Sequence, residues 1–99
     1  MRTISENYLV PNHTTKTIGS TTTEVIAKNN SRRYLLLVND SNEDMYIKLG
    51  VDAVMNEGIR IPSDGGSYEM TAGEGNVWQG AIDAICSSGS KTILVAEGE

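Results

Sequence analysis

No stretch of this chain carries the sustained apolar stripe of an amphipathic helix, in which apolar residues recur every three to four positions. From residue 20 onward the apolar residues instead fall in short runs, alternating or continuous, cut at close intervals by Gly, Asn, Asp and Ser. That pattern predicts strands and turns. TTTEVIAK (21–28) is rich in β-branched residues. The run 34–38, YLLLV, is continuous and fits a strand covered on both faces, since five apolar residues are too few for a helix. MYIKLG alternates, with Met45, Ile47 and Leu49 on one side and Tyr46 and Lys48 on the other. GIRIP places Ile59 and Ile61 inward and Arg60 outward, and Pro62 with the SDGG turn ends it. GSYEM is a further short strand, TAGEGN a loop, and the segment 77–86 runs into the interior. KTILVAEG closes the chain with Ile93 and Val95 on one face and Thr92 and Leu94 on the other. Only 51–57, VDAVMNE, offers one helical turn or an irregular loop.

Seven or eight such strands predict an all-β fold: a single small β-sandwich or barrel-like domain, jelly-roll or immunoglobulin-like, over residues 20–99. Residues 1–19 are polar and Thr-rich, and read as an extended N-terminal arm or loosely attached first strand. Its apolar island is Tyr8, Leu9 and Val10. With no Phe and one Trp, the core rests on aliphatic residues, and Leu36, Val38, Ile47, Ile61, Ile82, Ile85 and Val95 are expected there. A chain of 99 residues buries only roughly 60–65% of its unfolded surface, and oligomerisation is a common remedy for so thin a core.

A net charge of −5 argues against nonspecific binding to nucleic acid, which needs clustered cations, and only Arg32 and Arg33 are adjacent. No apolar run approaches the ~20 residues that cross a bilayer. The opening MRTISENYLV lacks the apolar region of a signal peptide, so synthesis in a cytoplasm is expected. Cys86 is the single cysteine; flanked by Ile85 and Ser87, it reads as a small buried hydrophobe. One chain therefore offers neither an internal disulfide nor a thiolate metal cage.

The oxygen-rich string Asp40-Ser41-Asn42-Glu43-Asp44 resembles the start of a calcium loop. A calcium loop from Asp40 needs glycine at its sixth place and a bidentate glutamate at its twelfth, where this chain has Met45 and Val51. The string is therefore expected to be a hairpin turn, since Asx side chains favour turns by bonding nearby backbone amides. The loops around Gly65-Gly66 and Gly73 precede no helix, so they lack the N-terminus of a phosphate cradle. Glu57, Asp64, Glu69 and Glu74 fall in or beside turns, where a solvated charge is ordinary. With one His (His13) and one Cys, no nucleophilic triad has members. No catalytic residue, cofactor or metal is expected. Trp78, after a Gly-rich loop, either closes one end of the sandwich or contacts a partner, tryptophan being enriched at interface hot spots. Tyr8, Leu9, Val10 and Trp78 are the candidate interface residues.

Three segments carry a resemblance: RRYLLLVNDSNEDMYIKLG, GIRIPSDGGSYEM and GAIDAICSSGSKTILVAEGE. In this order they resemble small virion proteins of tailed bacteriophages, over residues 32–98 and without the arm. Such chains have an Arg-led apolar strand, an N-x-S turn, a Gly-Gly step and a closing Val/Leu strand ending in Glu. Where they often carry Pro-Gly-Gly, this chain has Ser63-Asp64-Gly65-Gly66. The resemblance implies a β-sandwich component of the particle and supplies no catalytic residues. The expected role is a capsid decoration (cement) protein, made in the bacterial cytoplasm and bound to the major capsid protein or other virion subunits. A homo-oligomer is expected, with a trimer favoured. A neck, tail or fibre accessory is the alternative within the virion. A carbohydrate- or small-ligand-binding module is the alternative outside it, weakened by having only five aromatic residues to divide between core and site.

Overall fold

The computed structural model describes residues 10–99 as a sandwich of two antiparallel four-stranded sheets. The strands are β1 (Pro11–Ile18), β2 (Thr23–Ile26), β3 (Tyr34–Asp40), β4 (Met45–Leu49), β5 (Ile59–Ile61), β6 (Ser67–Thr71), β7 (Ile82–Ile85) and β8 (Lys91–Gly98). A single 3-10 turn, Ala72–Glu74, is the only helical segment among the described residues. One sheet runs β1-β8-β3-β6 and the other β2-β7-β4-β5. The pairs β1 with β8, β2 with β7, β3 with β6 and β4 with β5 are therefore nested. The chain is one long hairpin rolled up, and β3 with β8 and β4 with β7 complete the sheets. This is the jelly-roll arrangement of an eight-stranded double sheet.

Of the connections between consecutive strands, only that from β4 to β5 stays within a sheet. The hairpin expected at residues 40–44 is a corner that carries the chain from one sheet to the other. Corner and hairpin use the same turn residues, so local sequence does not separate them. Buried Asn39 holds this corner: its amide donates to the carbonyls of Glu43 (2.6 Å) and Ile61 (2.9 Å), and its Oδ1 accepts from Ser41 (2.7 Å). The loop 50–58 contains no helical turn. At another crossing, from β5 to β6, a Cβ on Gly66 would lie 2.4 Å from the Pro62 carbonyl oxygen, so the corner closes only on glycine.

The core between the sheets is built from Ile18, Val25, Leu35, Leu37, Met45, Ile47, Ile61, Met70, Ile82, Ala84, Cys86, Ile93 and Val95. Ile47, Ile61, Ile82, Ile85 and Val95 lie inside as expected, but Leu36 and Val38 do not. In β3 the inward positions are Leu35, Leu37 and Asn39, and Leu36 and Val38 are half-buried on the outer face. A continuous apolar run does not reveal its own phase, and the polar residue that continues the inward row, Asn39, is the one sequence patterning assigns to solvent. The run is covered on one face only.

Residues 11–18, assigned from sequence to the arm, form β1, paired along its whole length with β8 from Pro11 opposite Gly98 to Ile18 opposite Lys91. Only Ile18 is buried, and residues 11–17 are exposed on both faces. Such a strand has no apolar pattern to betray it. Its outer face borders a groove of about 530 Å³ lined by Leu36, Val38, Leu94 and Ala96 with His13 and Thr15.

Candidate interaction surface

The end of the sandwich holding Trp78 is organised by a buried arginine. Arg32 is 1% exposed, yet its guanidinium is well satisfied. Nε donates to Glu97 Oε2 (2.8 Å), Nη1 to the carbonyls of Trp78 (2.6 Å) and Gly80 (3.0 Å), and Nη2 to the Ala27 carbonyl (2.7 Å). The planar fork suits this task because its donors point in fixed directions at several acceptors. One side chain thereby ties the loop 27–33, the loop 76–81 and β8 together. Asn29 extends the tie: its amide donates to Glu97 (3.0 Å) and Glu99 (2.6 Å), and its backbone N–H donates to the Gln79 carbonyl (2.8 Å). The Gln79 amide returns a bond to the Arg32 carbonyl (3.0 Å).

On this frame sit two of the four sequence-derived candidates. Trp78 packs its indole against Gly80, where a Cβ would fall 2.7 Å from Cζ2, and its Nε1 donates to the Ala81 carbonyl (2.9 Å). It remains 39% exposed, so it closes the end of the sandwich with part of the ring and offers the rest to solvent. Val10, 65% exposed, exchanges two backbone bonds with Glu99 (3.0 and 3.2 Å). Glu99 is the residue Asn29 grips, and Asn29 in turn bonds Gln79 beside Trp78. Val10 and Trp78 thus share one end of the molecule. Tyr8 and Leu9 lie outside the described residues.

The opposite end carries the acidic string. Glu43 accepts from Ser87 Oγ (3.0 Å), from the Ser88 N–H (3.0 Å) and from Ser88 Oγ, with Lys91 at 4.0 Å. The Ser88 hydroxyl bond, opposed in part by desolvation, holds the Glu43 carboxyl below its ordinary range. Asp44 accepts from the Ser63 N–H (2.9 Å) and Arg60 (3.3 Å), and Asn42 from Lys91 (2.8 Å). These oxygens are turned toward donors of the protein itself. Cys86 is fully buried, its thiol donating to the Ser88 carbonyl (2.9 Å), and burial pushes its pKa up.

Sequence reasoning noted Arg32 beside Arg33 but missed its buried role. An arginine just before an apolar strand signals nothing by itself; only the fold shows that Glu97, far along the chain, waits opposite it. No family model, curated protein or solved structure matches the chain.

Proposed function

We propose that this chain is a structural subunit of a virus particle, a capsid decoration protein of the tailed-bacteriophage kind, binding rather than catalytic. The observation that carries the reading is the end surface itself. Exposed Trp78 and exposed Val10, which Tyr8 and Leu9 precede in the sequence, lie at the same end of the molecule, where Arg32 ties the surrounding loops together. A rigid aromatic anchor loses little entropy on binding and is the common centre of an interface hot spot. The jelly-roll order and the resemblance over residues 32–98 agree with this role, as fold-level analogy. The partner is the major capsid protein or another virion subunit, and the acidic chain favours a basic patch on it.

The test mixes purified chain with particles that lack it and counts retained copies after sedimentation. Trp78→Ala, and separately removal of residues 1–9, which spares β1, are each expected to lower retention by about tenfold or more, as for loss of a hot-spot anchor. Copies spread over the shell in a reconstruction support decoration; copies at a single vertex move the role to neck or tail. Failure of the unaltered chain to bind overturns the virion reading.

A further inference from the structure

We propose that β1 is a self-pairing edge, through which two copies of this chain join their β1-β8-β3-β6 sheets into one continuous sheet about a two-fold axis at Thr15. The inference begins with the direction of the backbone groups. Val10 and Glu99 exchange both their N–H and C=O groups, so they are a hydrogen-bonded pair. Such pairs alternate along an antiparallel ladder. Asn12, Thr14, Lys16 and Ile18 therefore turn their backbone groups toward β8, and Pro11, His13, Thr15 and Thr17 turn theirs away. Pro11 agrees with this phase, because a residue without an N–H is tolerated where the ladder does not need one. No described residue pairs with that outward row.

The other three sheet edges are each blunted. β6 is capped by Asn76, whose Oδ1 accepts from the Thr71 N–H (2.9 Å) while its amide reaches the Glu69 carbonyl (3.5 Å). β2 has four residues and an irregular register between Glu24 and Ile26, and β5 has three residues. Shortness, bulges and side-chain cover are the devices by which proteins prevent edge pairing. β1 has eight residues, a regular register throughout and no cover on either face of residues 11–17. Its edge devices are Pro11, at one end, and Lys16, on the face of Ile18, and the outward row from His13 to Thr17 between them is left as a template for another strand.

The occupant follows from the edge's own complementarity. Antiparallel pairing of β1 with a second β1 centred on Thr15 places Thr15 opposite Thr15 and His13 opposite Thr17 in each direction. This register engages every outward residue that has both an N–H and a C=O, and leaves Pro11 beyond the last pair. No like charges face each other across it. On the outer face it also brings together the two apolar grooves beside His13 and Thr15. The result is a two-fold pair, in place of the three-fold ring favoured from sequence.

The test is sedimentation of the full chain across a range of concentrations, with three variants. Thr15→Pro removes an outward N–H and none of the bonds to β8, so the fold should persist by near-ultraviolet circular dichroism while self-association weakens roughly tenfold or more. Thr15→Cys should give a disulfide-linked dimer under mild oxidant, because hydrogen-bonded pairs hold their Cα atoms about 5.5 Å apart, within disulfide reach. Cys86 is buried and does not compete. A chain that stays monomeric overturns the proposal. So does association that survives Thr15→Pro and fails with Leu94→Glu, since the contact is then the sheet's face and not its edge. Particle binding is read separately, so either proposal can fail alone.

Discussion

The two ends of the sandwich use the same device under opposite conditions. At one end a long charged side chain, Arg32, gathers two loops and the last strand by donating to their oxygens; its side chain is 0% exposed. At the other, Glu43 gathers the loop 86–90 by accepting from it, with its side chain 22% exposed. Water can replace a partner lost by Glu43, but not one lost by Arg32. The buried tie should therefore contribute more to stability than the exposed one.

The largest effect that sharpens this contrast is expected from Arg32→Met. It leaves Glu97 as a buried charge without its cation, a loss of ~3–5 kcal/mol for breaking such a pair. Against the ~5–15 kcal/mol that holds a domain together, that is a large share of the reserve. Denaturant unfolding should show it as a large fall in midpoint, and Arg32→Lys should recover only part, because an ammonium does not reproduce the fork. A small effect breaks the comparison.

An intermediate effect is expected from Asn39→Ala, at the corner near Glu43 but wholly buried. The carbonyls of Glu43 and Ile61 lose their donor, at about 1–3 kcal/mol. If its thermal shift falls below that of Glu43→Gln, burial is not what ranks these ties.

The smallest effect belongs to Glu43→Gln and should depend on pH. The folded-state pKa of Glu43 lies below its ordinary value. Its ionised form is thus favoured by folding, and the contribution is complete above the ordinary carboxylate range, about 4.3 for glutamate. It is lost as pH falls through the lowered folded value. Melting temperatures of wild type and Glu43→Gln should differ slightly at neutral pH and converge on acidification. A gap that widens in acid contradicts the sign.

How much of this was legible before folding varies element by element. β4 and β5 were readable because their alternation, Met45-Ile47 and Ile59-Ile61 against Tyr46 and Arg60, is the alternation of a half-buried sheet. β3 was readable as a strand but not in phase, since five apolar residues in a row present the same pattern on both faces. β1 was obscured for the opposite reason: neither face is buried before Ile18, so burial wrote nothing into its sequence. Crossings between sheets looked like hairpins because turn chemistry is local while sheet membership is not. Of the surface candidates, Trp78 was singled out by residue type alone, and it is partly exposed. Its support was not, because Arg32, Asn29 and Glu97 meet only after the roll is complete.

The nested pairing of the rolled hairpin also predicts an order of events in time. Ile47 meets Ile59 across the innermost turn, whereas Pro11 meets Gly98 only when nearly the whole chain has been brought round. Closing the inner turn costs little loop entropy, and each successive pair closes more cheaply once the one inside it has formed. Contacts so distant in sequence are characteristic of domains that fold in milliseconds to seconds rather than microseconds. A zipper that starts at β4–β5 and ends at β1–β8 makes the outermost strand the last to arrive and the first to peel away.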